Sequence, residues 1–500
     1  MKARRHLFVL GISAAAAASM VASVAAPVPP SAASAVVPKG SSLAEQRSTL
    51  ADQRAVAVTI YNENLALVKD TRQINLVAGS SRLALRDVSA QLRPETAQLR
   101  SLGDPGLFSV AEQNFDFDLL TPAKLLEKSV GRSVRVVKTN PQTGVETIET
   151  AQVLAVSGGL VLKIGDRIET GMPGRIVFDE VPANLRDRPT LVSELQSKRG
   201  GSQAVELSYL TGGLAWQADY VAELSSDDAK LDLNGWVTLS NRSGTTYTDA
   251  KLQLVAGDVN RVRDEVRRMA MADRKEERSP APVVAQMSQE ALFEYHLYTL
   301  GRPTTLADNQ TKQVALLNAA AVPVTKELLL NGSDYYYRSG VGEIGQKLKA
   351  GVFVEFANRE SAHLGQPLPK GVVRVYKRDA AGNAQFVGED RIDHTPKNEK
   401  VRLHLGDAFD VTADKKQTDF RRREPSNNAS YVFESAYEIV LRNAKSESVS
   451  VTVREPVPGD WTMLGESAPH RKVAAGTAEW QVAVPAGGKT KLSYRVVVRY

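Results

Sequence analysis

Histidine comes first among the residues that could do chemistry, because an imidazole can bind a metal ion or exchange a proton near neutral pH. Beyond the N-terminal region the chain has five histidines: His296, His363, His394, His404 and His470. No two of them are two or four residues apart, the spacings that bring two imidazoles to one metal ion. We therefore expect no metal site and no bound cofactor, and we place these side chains at the surface or in turns.

His394 follows Asp393 directly, in the sequence EDRIDH. A carboxylate beside an imidazole can orient it for acid–base work. No nucleophile motif of the G-x-S-x-G type accompanies the pair, so we assign no catalytic residue and keep Asp393 and His394 as an acid–base candidate by adjacency alone. A glycan-acting hydrolase would instead need two carboxylates about 5–10 Å apart across a cleft, and the sequence does not locate such a pair.

Aromatic residues point to binding rather than catalysis. In the stretch LDLNGWVTLS, period-two alternation puts Leu231, Leu233, Val237 and Leu239 on one face of a strand and Trp236 on the other, among polar residues. An outward indole needs a cover, which can be a neighbouring domain, the option we favour, or a ligand such as a glycan or a peptide. The same question applies to further aromatic residues, and the candidate binding set is Trp236, Trp216, Tyr220 and Tyr336.

Composition limits the class of protein. The chain has 500 residues, 42% of them hydrophobic, and no cysteine, so disulfide scaffolds, thiolate metal sites and cysteine nucleophiles are excluded. This length predicts roughly three domains at about 100–200 residues each. The net charge of +6 arises from 63 basic and 57 acidic residues. Such a balance lacks the concentrated positive charge of a nucleic-acid-binding protein, and we expect no nucleic-acid partner.

The N-terminus has the pattern of a secretory signal peptide. Lys2, Arg4 and Arg5 precede an uncharged, alanine-rich stretch over residues 7–26, and small residues suited to cleavage follow. We predict a signal peptide within residues 1–35 and a mature N-terminus between residues 26 and 36. Prolines at 27, 29 and 30 favour cleavage over the alternative of a retained membrane anchor. We expect a mature chain without a membrane span, located in the periplasm or outside the cell.

Beyond this segment the sequence predicts an all-β protein. We predict a flexible tether at 36–54, an N-terminal β module at 55–185 with a small inserted barrel near 130–180, a central β-sandwich at 186–320 and a C-terminal immunoglobulin-like sandwich at 321–500. One helix is predicted, with Thr121 as its cap, Pro122 in its first turn, Leu125 and Leu126 facing inward, and Gly131 at its end. Residues 261–290 are rich in charge and proline, and we predict a mobile surface loop there.

The C-terminal sandwich is predicted to contain two hairpins. One runs over residues 436–458, with YEIVL returning as VSVTV, and the other joins WQVAV to KLSYRVVVRY. Leu239-Ser240-Asn241 and Leu441-Arg442-Asn443 each end a strand before a polar turn. Two tandem immunoglobulin-like sandwiches would give this echo.

Several long motifs resemble a known bacterial family. They are LSYLTGGLAWQADYVAEL (207–224), NGWVTLSNRSGTTYTDAKLQLVAGDV (234–259), EYHLYTLGRPTTL (294–306), VRLHLGDAFDV (401–411), YEIVLRNAKSESVSVTVREPVPGDW (437–461) and the closing WQVAVPAGGKTKLSYRVVVRY. In these stretches the chain resembles the secreted family called domain of unknown function 4139, which is related to the mucoidy-inhibitor proteins. The resemblance covers residues 55–500 and implies an exported bacterial protein, but it supplies no catalytic residue.

Three functional hypotheses follow from the sequence. The first is a non-enzymatic envelope protein that binds an envelope polymer or a protein partner through strand edges and exposed aromatic side chains. The second is a hydrolase or lyase that acts on envelope glycan with carboxylates in an inter-domain cleft. The third is an outer-membrane β-barrel, suggested by the alternating aromatic strand at the C-terminus, although the strands are short and aromatic residues make up only 6% of the chain.

Overall fold

A computed structural model describes residues 44–62, 64–182, 185–257, 287–292, 295–424 and 431–500. Strands dominate these residues, and the described part contains one α-helix, so the all-β fold class is confirmed. The predicted signal peptide lies outside the described residues. No helix in the described part is both long enough and apolar enough to cross a membrane.

The N-terminal strands form two open sheets. The strands are β1 (Glu45–Ser48), β2 (Gln53–Tyr61), β3 (Leu65–Leu76), β4 (Gly79–Arg86), β5 (Gln98–Ser101) and β6 (Phe108–Asp116). The first sheet has the order β1-β4-β12-β6, where β12 is Thr190–Ser197. Strand β1 occupies residues that we assigned to the tether, and Glu45 in it bonds to Arg186 at 2.7 Å.

The second sheet joins these strands to later ones. Its further members are β13 (Gly201–Thr211), β16 (Tyr247–Ala256), β17 (Met287–Leu292), β18 (Tyr295–Leu300) and β19 (Thr304–Leu306). The order is β17-β18-β16-β2-β3-β13-β5, and β19 pairs with β16. The last residues of the segment 261–290 belong to strand β17. Met287 is buried in this strand, and β17 pairs with β18. Residues 258–286 lie outside the described residues.

The inserted module is a meander of short strands, as the sequence predicted. It consists of helix α1 (Pro122–Lys128) and the strands β7 (Ser133–Thr139), β8 (Glu146–Ala155), β9 (Val161–Ile164), β10 (Arg167–Thr170) and β11 (Arg175–Val177). Its sheet order is β10-β9-β8-β7-β11. Within the described residues the edge strands β10 and β11 do not pair with each other, so the sheet is open and is not a closed barrel. The Thr121 side chain caps the helix by accepting the Lys124 N–H, whereas Leu125 and Leu126 are only half-buried.

A thirteen-stranded sheet system forms the rest of the molecule. Its strands are β14 (Leu214–Leu224), β15 (Lys230–Asn241), β20 (Gln310–Asn331), β21 (Glu343–Ala357), β22 (Gly371–Arg378), β23 (Ala384–Ile392), β24 (Lys400–Arg423), β25 (Val432–Asn443), β26 (Val449–Pro456), β27 (Asp460–Glu466), β28 (Arg471–Ala474), β29 (Thr477–Val484) and β30 (Lys489–Arg499). Its main path is β23-β22-β14-β15-β20-β21-β24-β25-β30-β27, and β26, β28 and β29 form the opposing layer at the C-terminal end.

Three hydrophobic clusters lie between these layers. The first unites strands β2 to β4 with β14, β15 and the start of β24, and the second fills the C-terminal sandwich around the buried Trp480. The third is the small core of the inserted module. Residues from Ala44 onward form one compact unit. The sandwich-like arrangement agrees with the predicted class, while the exact domain boundaries stay predictions.

Both hairpins predicted near the C-terminus are wrong. Strand β25 pairs with β24 and β30, whereas β26 pairs with β20 and β29. Strand β29 likewise pairs with β26 and β28, and β30 with β25 and β27. Each connecting turn therefore crosses from one layer of the sandwich to the other. An alternating sequence gives both strands a buried face in either arrangement, so the pattern alone does not distinguish a hairpin from an arch.

The echo between Asn241 and Asn443 has a structural basis. The Asn241 side-chain amide donates to the carbonyl oxygens of Thr245, Leu306 and Ala307 at 2.9–3.1 Å. The Asn443 amide donates in the same way to Glu447, Val484 and Pro485 at 2.7–3.3 Å. Both side chains are buried, and each ties the turn after its own strand to a second turn.

Candidate functional site

The outward face of the sheet around β15 is the candidate site, and we call it the Trp236 face. Strand β15 turns Leu231, Leu233, Val237 and Leu239 into the first hydrophobic cluster and its alternate residues outward. Strand β15 lies between β14 and β20, and β14 in turn pairs in parallel with β22. The outward side chains of this face include Gln217, Asp219, Asn234, Trp236, Thr238, Gln313, Asn318, Arg374 and Glu389.

Trp236 faces outward as the alternation predicted, and its side chain is half-buried. Its register partners are Asp219 on β14 and Ala315 on β20. Ala315 is too small to cover an indole, so part of the ring stays open to solvent. On the other side of the strand, a Cβ at Gly235 would lie 2.8 Å from Leu317 Cγ. Glycine therefore allows β15 to approach β20 closely at the position before the tryptophan.

Asp219 is the anchor of the polar part of the face. The residue is buried, and its carboxylate accepts hydrogen bonds from Thr238 Oγ1 at 2.7 Å and from Gln217 Nε2 at 3.3 Å. The other carboxylate oxygen accepts from Arg374 Nη1 at 3.1 Å. The same guanidinium lies 3.3 Å from Glu389. These bonds hold Asp219, the register partner of Trp236 on β14, as an acceptor that orients its neighbours.

Two hydrogen-bonded pairs, each with at least one side-chain amide, continue the polar surface. Asn318 donates to Asn234 at 2.5 Å, and Gln313 donates to Thr238 at 3.2 Å. A side-chain amide has two donor hydrogens and a carbonyl oxygen, so each of these groups keeps hydrogen-bonding capacity for a ligand after the internal bond is made. The face therefore combines one open aromatic ring with several fixed donors and acceptors.

The charges of the described residues give no sign of a general acid. Each described carboxyl group whose pKa is shifted has it lowered. Asp228, in the turn between β14 and β15, is an example. Burial raises the pKa of Asp228, but hydrogen bonds from Lys326 and Lys377 outweigh burial and lower it. A glycosidase acid needs the opposite shift. Among the described residues, no three potential metal ligands lie together.

Trp216 and Tyr220, which we proposed from the sequence as binding residues, lie beneath the face. Trp216 is 5% exposed, and its indole nitrogen has no hydrogen-bond partner among the described residues. Tyr220 is fully buried, donates its hydroxyl to the Pro369 carbonyl at 2.8 Å, and has its pKa raised by burial. Both side chains belong to the first hydrophobic cluster and support the sheet that carries Trp236. A direct role in binding stays a prediction.

Tyr336 lies far along the chain, in a polar network that we did not predict. It is buried in the C-terminal sandwich and donates to Glu455 Oε2 at 2.6 Å. Lys415 Nζ donates to Glu455 Oε1 at 2.5 Å and to the Tyr336 hydroxyl at 2.6 Å. Tyr337 adds a hydrogen bond of 3.1 Å to the same carboxylate. Burial and the Glu455 charge raise the pKa of Tyr336, and burial lowers the pKa of Lys415.

The acid–base candidate pair is separate from both sites. Asp393 is exposed and His394 half-buried. His394 Nδ1 accepts the Lys370 backbone N–H at 3.2 Å, and its Nε2 lies 3.2 Å from the Asn62 side-chain amide. The histidine thus joins the loop before β22 to the turn after β2. Its part in catalysis stays a prediction.

The sequence matches one described family, the domain of unknown function DUF4139, over residues 205–500. The match includes every strand of the Trp236 face and the whole C-terminal sandwich. No curated protein matches the chain at a significant level. The suspected relation to the mucoidy-inhibitor proteins stays a prediction.

Proposed function

Because the chain belongs to the DUF4139 family, whose description assigns no activity, we propose a function from the geometry of its own site: an exported, non-enzymatic protein that binds an envelope glycan through the Trp236 face. The export part of the proposal rests on the N-terminal sequence pattern. The binding part rests on one observation, a half-buried tryptophan beside a fixed cluster of hydrogen-bonding side chains.

The side chains of the face suit a sugar polymer. A partly exposed indole offers a flat apolar surface that can stack on the apolar side of a pyranose ring. Thr238 and Asn234 stand two residues to either side of Trp236 on β15, within reach of hydroxyl groups on the same sugar. Asp219 and Arg374 are held by each other, so little side-chain entropy is lost when a ligand binds.

A neutral glycan fits this face better than a strongly charged one. Arg374 is paired with both Asp219 and Glu389, and the neighbouring Arg378 is paired with Glu223. The cations of the face are therefore already neutralised by carboxylates. Recognition by stacking and by hydrogen bonds to hydroxyl groups needs no further charge.

The test is retention of the purified mature protein on immobilised polysaccharides, with chitin and β-glucan as neutral probes and peptidoglycan sacculi as a probe whose glycan strands carry charged peptides. On any probe that retains the wild-type protein, Trp236→Ala should weaken retention at least about tenfold, as loss of a central aromatic contact does. The matched control is Phe409→Ala, which removes an 86% exposed aromatic ring from β24, outside the face. This control should bind like the wild type.

Three outcomes would contradict the proposal. Equal losses for Trp236→Ala and Phe409→Ala would mean nonspecific adhesion, and release of new reducing ends from a probe would mean hydrolysis. Capture of a protein partner through Trp236 with no retention on any glycan would replace the polymer by a protein. N-terminal sequencing of the extracytoplasmic fraction tests export, which Met1 at the terminus would contradict.

A further inference from the structure

A second group of aromatic rings lies at one end of the C-terminal sandwich, far along the sequence from the Trp236 face. Phe420 on β24 stacks on Phe433 of β25 with ring centroids 5.6 Å apart, and Tyr431 stacks on Phe433 at 6.3 Å with an interplanar angle of 10°. Tyr500 meets Phe433 edge to face at 5.9 Å. Tyr431 is 49% exposed, so this row of rings continues the sandwich core out to solvent.

Two guanidinium groups lie on these rings. Arg422 is 5.2 Å from the centroid of Tyr431, and Arg338 is 5.1 Å from the centroid of Tyr500. Both side chains are exposed, and within the described residues neither has a carboxylate at ion-pair distance. We call the set Phe420, Tyr431, Phe433, Tyr500, Arg338 and Arg422 the terminal aromatic site.

The neighbouring arginines show that this lack of pairing is local. In β24, alternation puts Phe420 and Arg422 on one face and Arg421 and Arg423 on the other. Arg421 pairs with Asp419 at 3.1 Å, and Arg423 pairs with Glu434. The opposite face therefore has its positive charge neutralised, and the aromatic face does not.

We propose that the terminal aromatic site binds an anionic polysaccharide whose sugars carry carboxylates. A guanidinium has five N–H groups, so Arg422 keeps donors beyond its ring contact and Arg338 keeps donors beyond its ring contact and its hydrogen bond to Tyr500. The planar fork of such a group matches a carboxylate with two hydrogen bonds. The exposed rings beside it offer stacking surface to the sugars. Two separate uncompensated cations suit a polymer with spaced charges, whereas nucleic acid calls for the continuous basic surface that the nearly balanced composition lacks.

The experiment measures binding of the full mature chain to polygalacturonate by affinity electrophoresis, with dextran as the uncharged polymer. Wild-type protein should be retarded by polygalacturonate and not by dextran. The double variant Arg338→Gln and Arg422→Gln should bind at least about tenfold more weakly, because each substitution removes a charge-assisted hydrogen bond. Arg422→Lys should fall between the two, since an ammonium keeps the charge but lacks the fork.

Arg421→Gln is the matched control, because it removes a guanidinium one residue away on the neutralised face; its binding should stay within about twofold of the wild type. Trp236→Ala should also leave polygalacturonate binding unchanged, which separates this site from the proposed function. An equal loss in Arg421→Gln, equal retardation by dextran, or stronger retardation by single-stranded DNA at the same ionic strength would overturn the proposal. Thermal unfolding of each variant confirms that the losses do not come from misfolding.

Discussion

Lys415 and Glu455 form an ion pair between opposing layers of the C-terminal sandwich, and their side chains are 3% and 1% exposed. Removing two charges from water costs several kcal/mol, which their attraction and the hydrogen bonds of Tyr336 and Tyr337 must offset. The intact pair therefore adds little net stability, whereas removal of one partner should cost much more. Either group left alone would be a buried charge without a counter-ion.

Lys415→Met should lower the free energy of unfolding by about 3–5 kcal/mol, because Glu455 would lose its counter-ion in the core. Adding Glu455→Gln should restore more than half of the loss, since the amide oxygen can still accept from the tyrosine hydroxyls. Lys416→Met, at an exposed position next in sequence, should change stability by only about 0.5 kcal/mol. Urea denaturation measures all three. A single variant no worse than Lys416→Met would show that the pair does not matter.

The side of the sheet on which a side chain lies was predicted correctly where we applied strand alternation. It was not predicted where we did not apply it. Trp236 was placed outward because its neighbours on β15 alternate, and the structure agrees. The same period in LAWQADYVAEL aligns Trp216 and Tyr220 with Leu214 and Leu224, on the buried side of β14. Tyr336 offered no such signal because it lies in a 3-10 turn, and its partners come from strands distant in the sequence.

The connections between strands depend on buried asparagines. Asn443 ends β25, and its amide binds three carbonyl oxygens in two turns while its own side-chain oxygen accepts the Lys445 N–H at 3.0 Å. Asn358, which follows β21, makes the same kind of contacts to Gln366 and Pro396. Asn443 thus lies where the chain passes from one layer to the other, and Asn358 joins the loop after β21 to the loop after β23.

Asn443→Ala should therefore lower the free energy of unfolding by at least about 2 kcal/mol, because buried carbonyl groups would lose their donor. Asn331→Ala is the matched control: Asn331 also ends a strand, β20, but its side chain is exposed. Guanidinium denaturation should show a shifted midpoint for the first variant and almost none for the second. Similar midpoints for the two variants would mean that the turns do not need this amide.

The strands were predictable from alternation, but their partners were not. VSVTV and WQVAV form β26 and β29 where the pattern put them, yet each pairs with strands that the chain reaches only after crossing the sandwich. Pairing depends on long-range contacts that alternation does not encode. The sequence did show that Leu441-Arg442-Asn443 ends a strand before a turn. In the structure this turn crosses between the two layers of the sandwich and does not close a hairpin. Whether the inserted sheet closes into a barrel likewise depends on pairing between its edge strands, β10 and β11. These two strands do not pair with each other among the described residues.

For the molecule as a whole, the sheet order decides what a cut in the chain would do. The segment 261–290 is dense in Lys, Arg, Glu and Pro, and we predict that proteases cut there first. The strands on either side of the cut, β16 and β18, pair directly with each other, and β16 also pairs with β2. A nicked chain should therefore keep its two pieces together through continuous ladders of backbone hydrogen bonds.

Limited trypsin digestion should give two fragments that meet within residues 261–290, separate on a denaturing gel and co-elute in size-exclusion chromatography. A glutamate-specific protease is the control, because Glu265, Glu276 and Glu277 lie in the same stretch and should give almost the same two fragments. Since β15–β20 and β14–β22 pairing also bridges the cut, the nicked protein should keep its Trp236 face and its retention on the glycan that binds the intact protein. Protection of 261–290 at doses that cut elsewhere would mean that this segment is docked, and fragments that elute apart would mean that the sheets alone do not hold the two parts together.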